Sequence, residues 1–215
     1  MKEKDIKKKS LDQLSQIHNM MEQSSRFISL SGLSGIVAGL TALSGSLYAY
    51  WAISSAATLD NPSMVRLDMH TINHEVIKDL IFAGIMMLVV AISFGVLLTY
   101  KKANKKGQSL WSKTSKRLLI NLCIPLVTGG LFALILIKHE LFGLVAPTTL
   151  MFYGLALINA SKYTLHDIRY LGLFEIFLGL ISSYFIGYGL LFWALGFGLL
   201  HIIYGATMYF KYDRS

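Results

Sequence analysis

IRYLGLFEIFLGLISSYFIGYGLLFWALGFGLLHIIYGATMYFKY, residues 168–212, is the stretch on which the reading of the chain turns. About 20 consecutive apolar residues suffice to cross the hydrocarbon core as helix. The stretch therefore reads as two membrane-spanning helices joined by the tight turn Gly187-Tyr188-Gly189. It also holds Glu175 and His201, the carboxylate and the histidine predicted to lie deep in the bilayer. Each is 13 residues from Tyr188, so at about 1.5 Å per residue both fall roughly 20 Å below the same membrane face. The spacing predicts them at one depth on neighbouring antiparallel helices.

The rest of the chain has the same character. Of 215 residues, 54% are hydrophobic and only 15% charged, against about 25% charged in soluble domains. Six apolar runs are long enough to span: 27–53, 80–100, 118–137, 141–160, 168–187 and 190–210. The fold class is all-α: a polytopic membrane protein with six transmembrane helices arranged as three hairpins (27–100, 118–160 and 168–212). Seventeen of the twenty lysines and arginines fall in 1–26, in 101–117, or at Lys162, Arg169, Lys211 and Arg214. The opposite side has Arg66, Lys78 and Lys138. This partition predicts both termini in the cytoplasm, with the protein in the inner (plasma) membrane. The net charge of +8 follows the membrane boundaries and predicts no nucleic-acid partner.

Residues 1–26 read as a basic, amphipathic cytoplasmic segment rather than a cleavable signal. Ser10 and Gln13 have capping-box spacing, and Leu11, Leu14, Ile17 and Met21 share a face. A short helix lying on anionic lipid headgroups is expected there. In the first span Ser31, Gly35 and Gly39 stand four apart, a stripe that lets two backbones approach. Tyr48, Tyr50 and Trp51 close that span as an interfacial belt. The outer loop 54–77 carries His70 and His74, four apart. They form half of a metal site only if helical; the preferred reading is a polar segment resting on the bundle, with no metal bound. Pro125 and Pro147 predict bends in the third and fourth spans. Cys123 excludes an internal disulfide and reads as a packing residue.

Self-comparison finds a threefold pattern. The odd-numbered spans carry Gly39-Leu40-Thr41-Ala42, Gly130-Leu131-Phe132-Ala133 and Gly179-Leu180-Ile181-Ser182. The even-numbered spans carry Phe94-Gly95, Tyr153-Gly154 and Tyr204-Gly205. Gly35, Gly39, Gly130, Gly179, Gly198 and Gly205 are accordingly predicted as helix-packing positions. Six short-looped spans with LGLFEIFLGLISSYF followed by LLFWALGFGLLHIIYG resemble the HdeD-type bacterial acid-resistance membrane proteins over about residues 118–212. Through MEQSSRFISLSGLSGIVAGL and the last hairpin, the whole chain resembles an uncharacterised family of bacterial multi-pass proteins. The basic N-terminal segment and the 54–77 loop depart from the HdeD-type pattern, and no functional residue carries over.

Gly172, Glu175, Gly179 and Ser182 share one face of the fifth span. Ala194, Gly198, His201 and Gly205 share one face of the sixth. The two faces are expected to meet, with Glu175 and His201 about 2.6–3.5 Å apart or bridged by one water. A charge at the bilayer centre costs about 2.5–3.5 kcal/mol on translocon scales, so a partner is required. The pair reads first as a hydrogen bond tying two helices; the competing reading has it exchange protons. The chain has no H-E-x-x-H, no G-x-S-x-G, no phosphate-binding glycine loop and no cysteine cluster, so neither an enzyme nor a cofactor is expected. Two classes remain. One is a non-catalytic membrane protein of envelope-stress type, acting through the lipid bilayer, a second copy or another membrane protein. The alternative is a small proton-linked transporter or channel using Glu175 and His201. Reporter fusions at 65 and 110 should report opposite sides of the membrane, and two cytoplasmic signals would remove the first hairpin.

Overall fold

The computed structural model describes residue 13 and residues 31–56, 74–105 and 111–213. The expectations for the N-terminal segment 1–26 and for His70 fall outside the described residues; His74 opens a helix. Among the described residues six long helices follow one another: α1 Gly32–Ala56, α2 His74–Lys105, α3 Lys113–Lys138, α4 Val145–Ala160, α5 Asp167–Tyr184 and α6 Gly189–Asp213. Short 3₁₀ turns at Phe142–Leu144 and Ser161–Tyr163 flank α4. Among the described residues there is no strand.

With its preceding turn or following turn included, each of α1, α2, α3, α4 and α6 is long and apolar enough to cross a membrane. The exception is α5. Its 18 residues extend about 27 Å at 1.5 Å each, and they include Asp167, Arg169 and Glu175. Local signals set the ends. Ser112 Oγ accepts the Ser115 N–H at 3.0 Å to cap α3, as a serine N-cap should. At the other end Glu140 takes a left-handed φ of 60°, and the Leu141 N–H reaches back to the Leu136 carbonyl at 2.9 Å, closing the helix. Gly187, at φ 104°, turns the chain between α5 and α6. Pro125 sits inside α3, which continues through it. Pro147, expected to bend the fourth span, lies in the first turn of α4, where its missing N–H deprives no carbonyl.

Two glycine seams organise the packing. In the first, α1 lies on α6. A Cβ built on Gly39 would stand 2.6 Å from the Gly198 carbonyl and 2.9 Å from the Ile202 nitrogen. One on Gly205 would stand 2.7 Å from the Gly32 carbonyl and 2.5 Å from the Ile36 nitrogen. In the second, α5 lies on α4. A Cβ on Gly179 would stand 3.0 Å from the Pro147 carbonyl and 3.1 Å from the Met151 nitrogen. One on Gly154 would stand 2.5 Å from the Gly172 carbonyl and 2.9 Å from the Ile176 nitrogen. The seams match level for level: Gly32 with Gly172, Ile36 with Ile176, Gly39 with Gly179, Gly198 with Pro147, Ile202 with Met151 and Gly205 with Gly154. In membranes such close backbone approach replaces the hydrophobic effect as the source of association.

This arrangement corrects the expected meeting of the glycine faces of α5 and α6. Those glycines face α4 and α1 instead, and α5 and α6 approach one another chiefly over residues 189–200. Gly130 is also corrected, since a Cβ there meets nothing within 4 Å; its neighbour Gly129 packs on Phe152. At the end carrying Asp213, the carboxylate of that residue accepts the Gly32 N–H at 2.9 Å and pairs with Lys102, joining α1, α2 and α6. Asp167 accepts from Lys211 at 2.8 Å and Tyr212 at 3.0 Å, joining α5 to α6. Burial pushes the Asp167 carboxyl up, but those hydrogen bonds and the charges of Lys211 and His166 outweigh it and hold the group below its ordinary value.

Gly154→Ala should destabilise the detergent-solubilised protein by about 1–3 kcal/mol, because its methyl meets backbone. Gly84→Ala, with nothing within 4 Å, should be neutral or stabilising by up to about 1 kcal/mol. Denaturant titrations of the two variants check the contrast; equal effects would remove the seam.

Candidate functional site

The structure brings Glu175 and His201 together inside the bundle. Glu175 is fully buried and His201 is 6% exposed. His201 Nδ1 stands 3.4 Å from Glu175 Oε1, within the separation expected from the sequence, although the imidazole directs its hydrogen elsewhere. Both imidazole nitrogens are committed elsewhere. Nδ1 lies 3.0 Å from the Gly196 carbonyl, and Nε2 lies 2.7 Å from Tyr153 Oη. A carbonyl can only accept, so Nδ1 carries the hydrogen; in the neutral ring Nε2 then accepts from the Tyr153 hydroxyl. Among the described residues neither oxygen of Glu175 has a hydrogen-bond partner.

Local backbone geometry creates this arrangement. Residues Ala194–Leu200 form a π-helical segment within α6, a widened turn that recurs at functional sites. The backbone N–H of His201 bonds to the Gly198 carbonyl, while its side chain folds back to the carbonyl of Gly196. The absent side chain of Gly196 makes room for the carboxyl: a Cβ there would stand 2.5 Å from both Glu175 Oε2 and Leu150 Cδ2. Aromatic rings enclose the imidazole. Tyr153 lies 5.3 Å from it between centroids, and Phe197 stacks on it at 6.0 Å and 24°.

Tyr153 and Gly196 are site residues that sequence reasoning missed. Tyr153 was visible as the aromatic of a repeat mark, and Tyr204, its counterpart in the next repeat, also has a buried hydroxyl without a hydrogen-bond partner. Ser182 Oγ is in the same condition, seven residues beyond Glu175 on α5. Nothing in the sequence announced Gly196, because one glycine among many carries no mark of its neighbour. Of the predicted packing glycines, Gly35, Gly39, Gly179, Gly198 and Gly205 all lie at close helix contacts.

Chemically the centre is a carboxyl, an imidazole and a phenol in succession. An imidazole takes a proton at one nitrogen and releases one from the other, so His201 can connect Tyr153 with Glu175. A buried polar group without a partner costs about 1–3 kcal/mol, which makes the open carboxyl the costliest feature of the site.

Tyr153→Phe should cost about 1–3 kcal/mol, because it leaves Nε2 buried without a donor. Gly196→Ala should cost a similar amount by forcing a methyl against the carboxyl. Chemical denaturation midpoints in detergent test both; wild-type values would show that the site is not packed in this way. No family model matches the chain, and no similar chain was found among curated proteins or solved structures, so the reading of the site rests on its own geometry.

Proposed function

We propose that the protein is a small proton-linked transporter or channel whose working centre is Glu175, His201 and Tyr153. It spans the inner (plasma) membrane six times as three helical hairpins with both termini cytoplasmic, a topology supported by the partition of its basic residues. One observation carries the functional reading: Glu175 is fully buried beside His201, and among the described residues neither carboxyl oxygen is hydrogen-bonded. A carboxyl kept only to tie two helices together would be expected to close its hydrogen bond. Here the imidazole hydrogen is directed to Gly196, leaving the carboxyl free to take up and release a proton. Intramembrane ionisable groups held in protein, away from lipid, are the usual carriers of such relays.

A second reading, a non-catalytic protein working through lipids or other membrane proteins in the envelope, is favoured by a different observation. The long apolar window of α2 is 0% buried, an apolar surface that a partner helix or lipid must cover.

Purified protein in phosphatidylethanolamine–phosphatidylglycerol vesicles with a pH-sensitive dye inside separates the two. Wild type should equilibrate an imposed pH step faster than empty vesicles, and Glu175→Gln should return the rate to baseline while keeping wild-type helicity. Equal rates for wild type and empty vesicles, or for wild type and Glu175→Gln, would leave the partner-based reading standing.

A further inference from the structure

We propose that Tyr204 carries protons between the Glu175–His201–Tyr153 centre and the Asp167–Tyr212 pair at the end of the bundle, its hydroxyl being the donor that links the two. The inference rests on the proton reading of that centre and adds the route by which the buried carboxyl reaches solvent. It starts from the face of α6 on which His201 stands. His201, Tyr204, Met208 and Tyr212 follow one another there at spacings of three, four and four residues, the period of one helical stripe. At about 1.5 Å per residue, Tyr204 lies roughly 4.5 Å along the axis from His201 and roughly 12 Å short of Tyr212.

This stripe crosses an apolar layer. Leu157 of α4, Leu165 just ahead of α5, Ile168 and Leu171 of α5 and Met208 of α6 form one buried cluster, and Tyr153, Tyr204 and Tyr212 all pack against it. On one side of the layer is the centre. On the other, Asp167 accepts from Lys211 and Tyr212, and the side chains of Asp167 and Lys211 are 27% and 52% exposed. The Tyr204 hydroxyl is buried, and among the described residues it has no hydrogen-bond partner. The groups near enough to act on it by charge include Asp167 and Tyr212 from one side of the layer and Tyr153 from the other.

The placement of hydrogens makes Tyr204 the link. A phenol has one hydrogen to donate and lone pairs with which to accept. Tyr153 gives its hydrogen to His201 Nε2, and Tyr212 gives its hydrogen to Asp167 Oδ2. Each of them is left with lone pairs, while Tyr204 still holds an uncommitted donor. When its hydroxyl passes a hydrogen to an oxygen on one side, it takes one from the other, so the phenol is neutral before and after. A proton arriving at Tyr153 Oη sends the hydrogen already there to Nε2, and the Nδ1 hydrogen then passes to Glu175. The reverse sequence delivers a proton to Asp167. Water held by the hydroxyl, as buried polar groups without a protein partner ordinarily hold it, bridges to an oxygen beyond direct reach.

Exchange of the Glu175 carboxyl hydrogen for deuterium reads the route without requiring transport. In the same vesicles, at a pH low enough to protonate Glu175, its infrared carbonyl band is identified by its loss in Glu175→Gln, and a switch to heavy water shifts it. Tyr204→Phe should slow that shift about tenfold or more, the rate equivalent of one buried hydrogen bond removed. Its helicity and denaturation midpoint should stay at wild-type values, because the lost hydroxyl bonds no side chain or backbone group among the described residues. Met208→Leu alters the same layer without touching a polar group and should exchange at the wild-type rate. Unchanged exchange in Tyr204→Phe, equal slowing in Met208→Leu, a fall in the Tyr204→Phe midpoint as large as that of Tyr153→Phe, or no band lost in Glu175→Gln would each overturn the proposal. Baseline proton flux in wild-type vesicles, with exchange still slowed by Tyr204→Phe, would end the transporter reading while supporting this route.

Discussion

In a bilayer, lipid tails are as apolar as leucine, so burying apolar surface gives helices no reason to associate. Contact must come from close backbone packing, and here it comes at glycines. The α1–α6 and α4–α5 seams fix each member of the last hairpin to a different neighbour. Their consequence is that α5 and α6 are bound outward, to α4 and α1, and approach one another chiefly over residues 189–200. Into the space between them project the carboxyl of Glu175, the imidazole of His201 and, from α4, the phenol of Tyr153. The polar centre therefore depends on packing that lies on the far sides of its own helices.

The repeat also shows where the chain departs from itself. In the register of the glycine marks, Glu175 corresponds to Gly35 and Leu126, and His201 to Leu150 and Ala91. Only the last hairpin has ionisable groups at these levels. The departures fall together at one point, and the site is further shaped by the π-helical turn over Ala194–Leu200. Burying such groups raises the free energy of the fold, as does leaving the Glu175 oxygens unbonded. A packing role alone would be filled at lower cost by the leucine or alanine found at the equivalent positions.

Much of this was legible in the sequence, for identifiable reasons. Run length and composition located the apolar helices. Residue counting from Tyr188 placed Glu175 and His201 at one level, because helical rise is constant and the intervening turn is short. The choice of neighbour for each helix was not legible. A glycine notch accepts any helix that presents a complementary ridge, so Gly179 and Gly198 looked as suited to each other as to Pro147 and Gly39. Gly196 was hidden because its role lies in what it leaves empty. The π-helical turn depends on how α6 sits between its neighbours, which no local pattern records. Pro147 was read as a bend because the apolar run starts at Leu141, whereas Phe142–Leu144 form a 3₁₀ turn and the α-helix begins only at Val145.

The unpaired face of the bundle and its polar centre are joined by short paths of contact. On one side, α3 touches α4 where Gly129 packs on Phe152, the residue next to Tyr153. On the other, α2 touches α1 where Met87 packs on Gly45, and α1 touches α6 where a Cβ on Gly35 would stand 3.4 Å from the His201 carbonyl. Contacts from α3 thus lead to the Tyr153 wall of the centre through one helix, and contacts from α2 lead to the His201 wall through another. The hydrogen bond between those walls, from Tyr153 Oη to His201 Nε2, is 2.7 Å long. That hydrogen bond thus joins α4 to α6, two helices that the glycine seams tie to different neighbours.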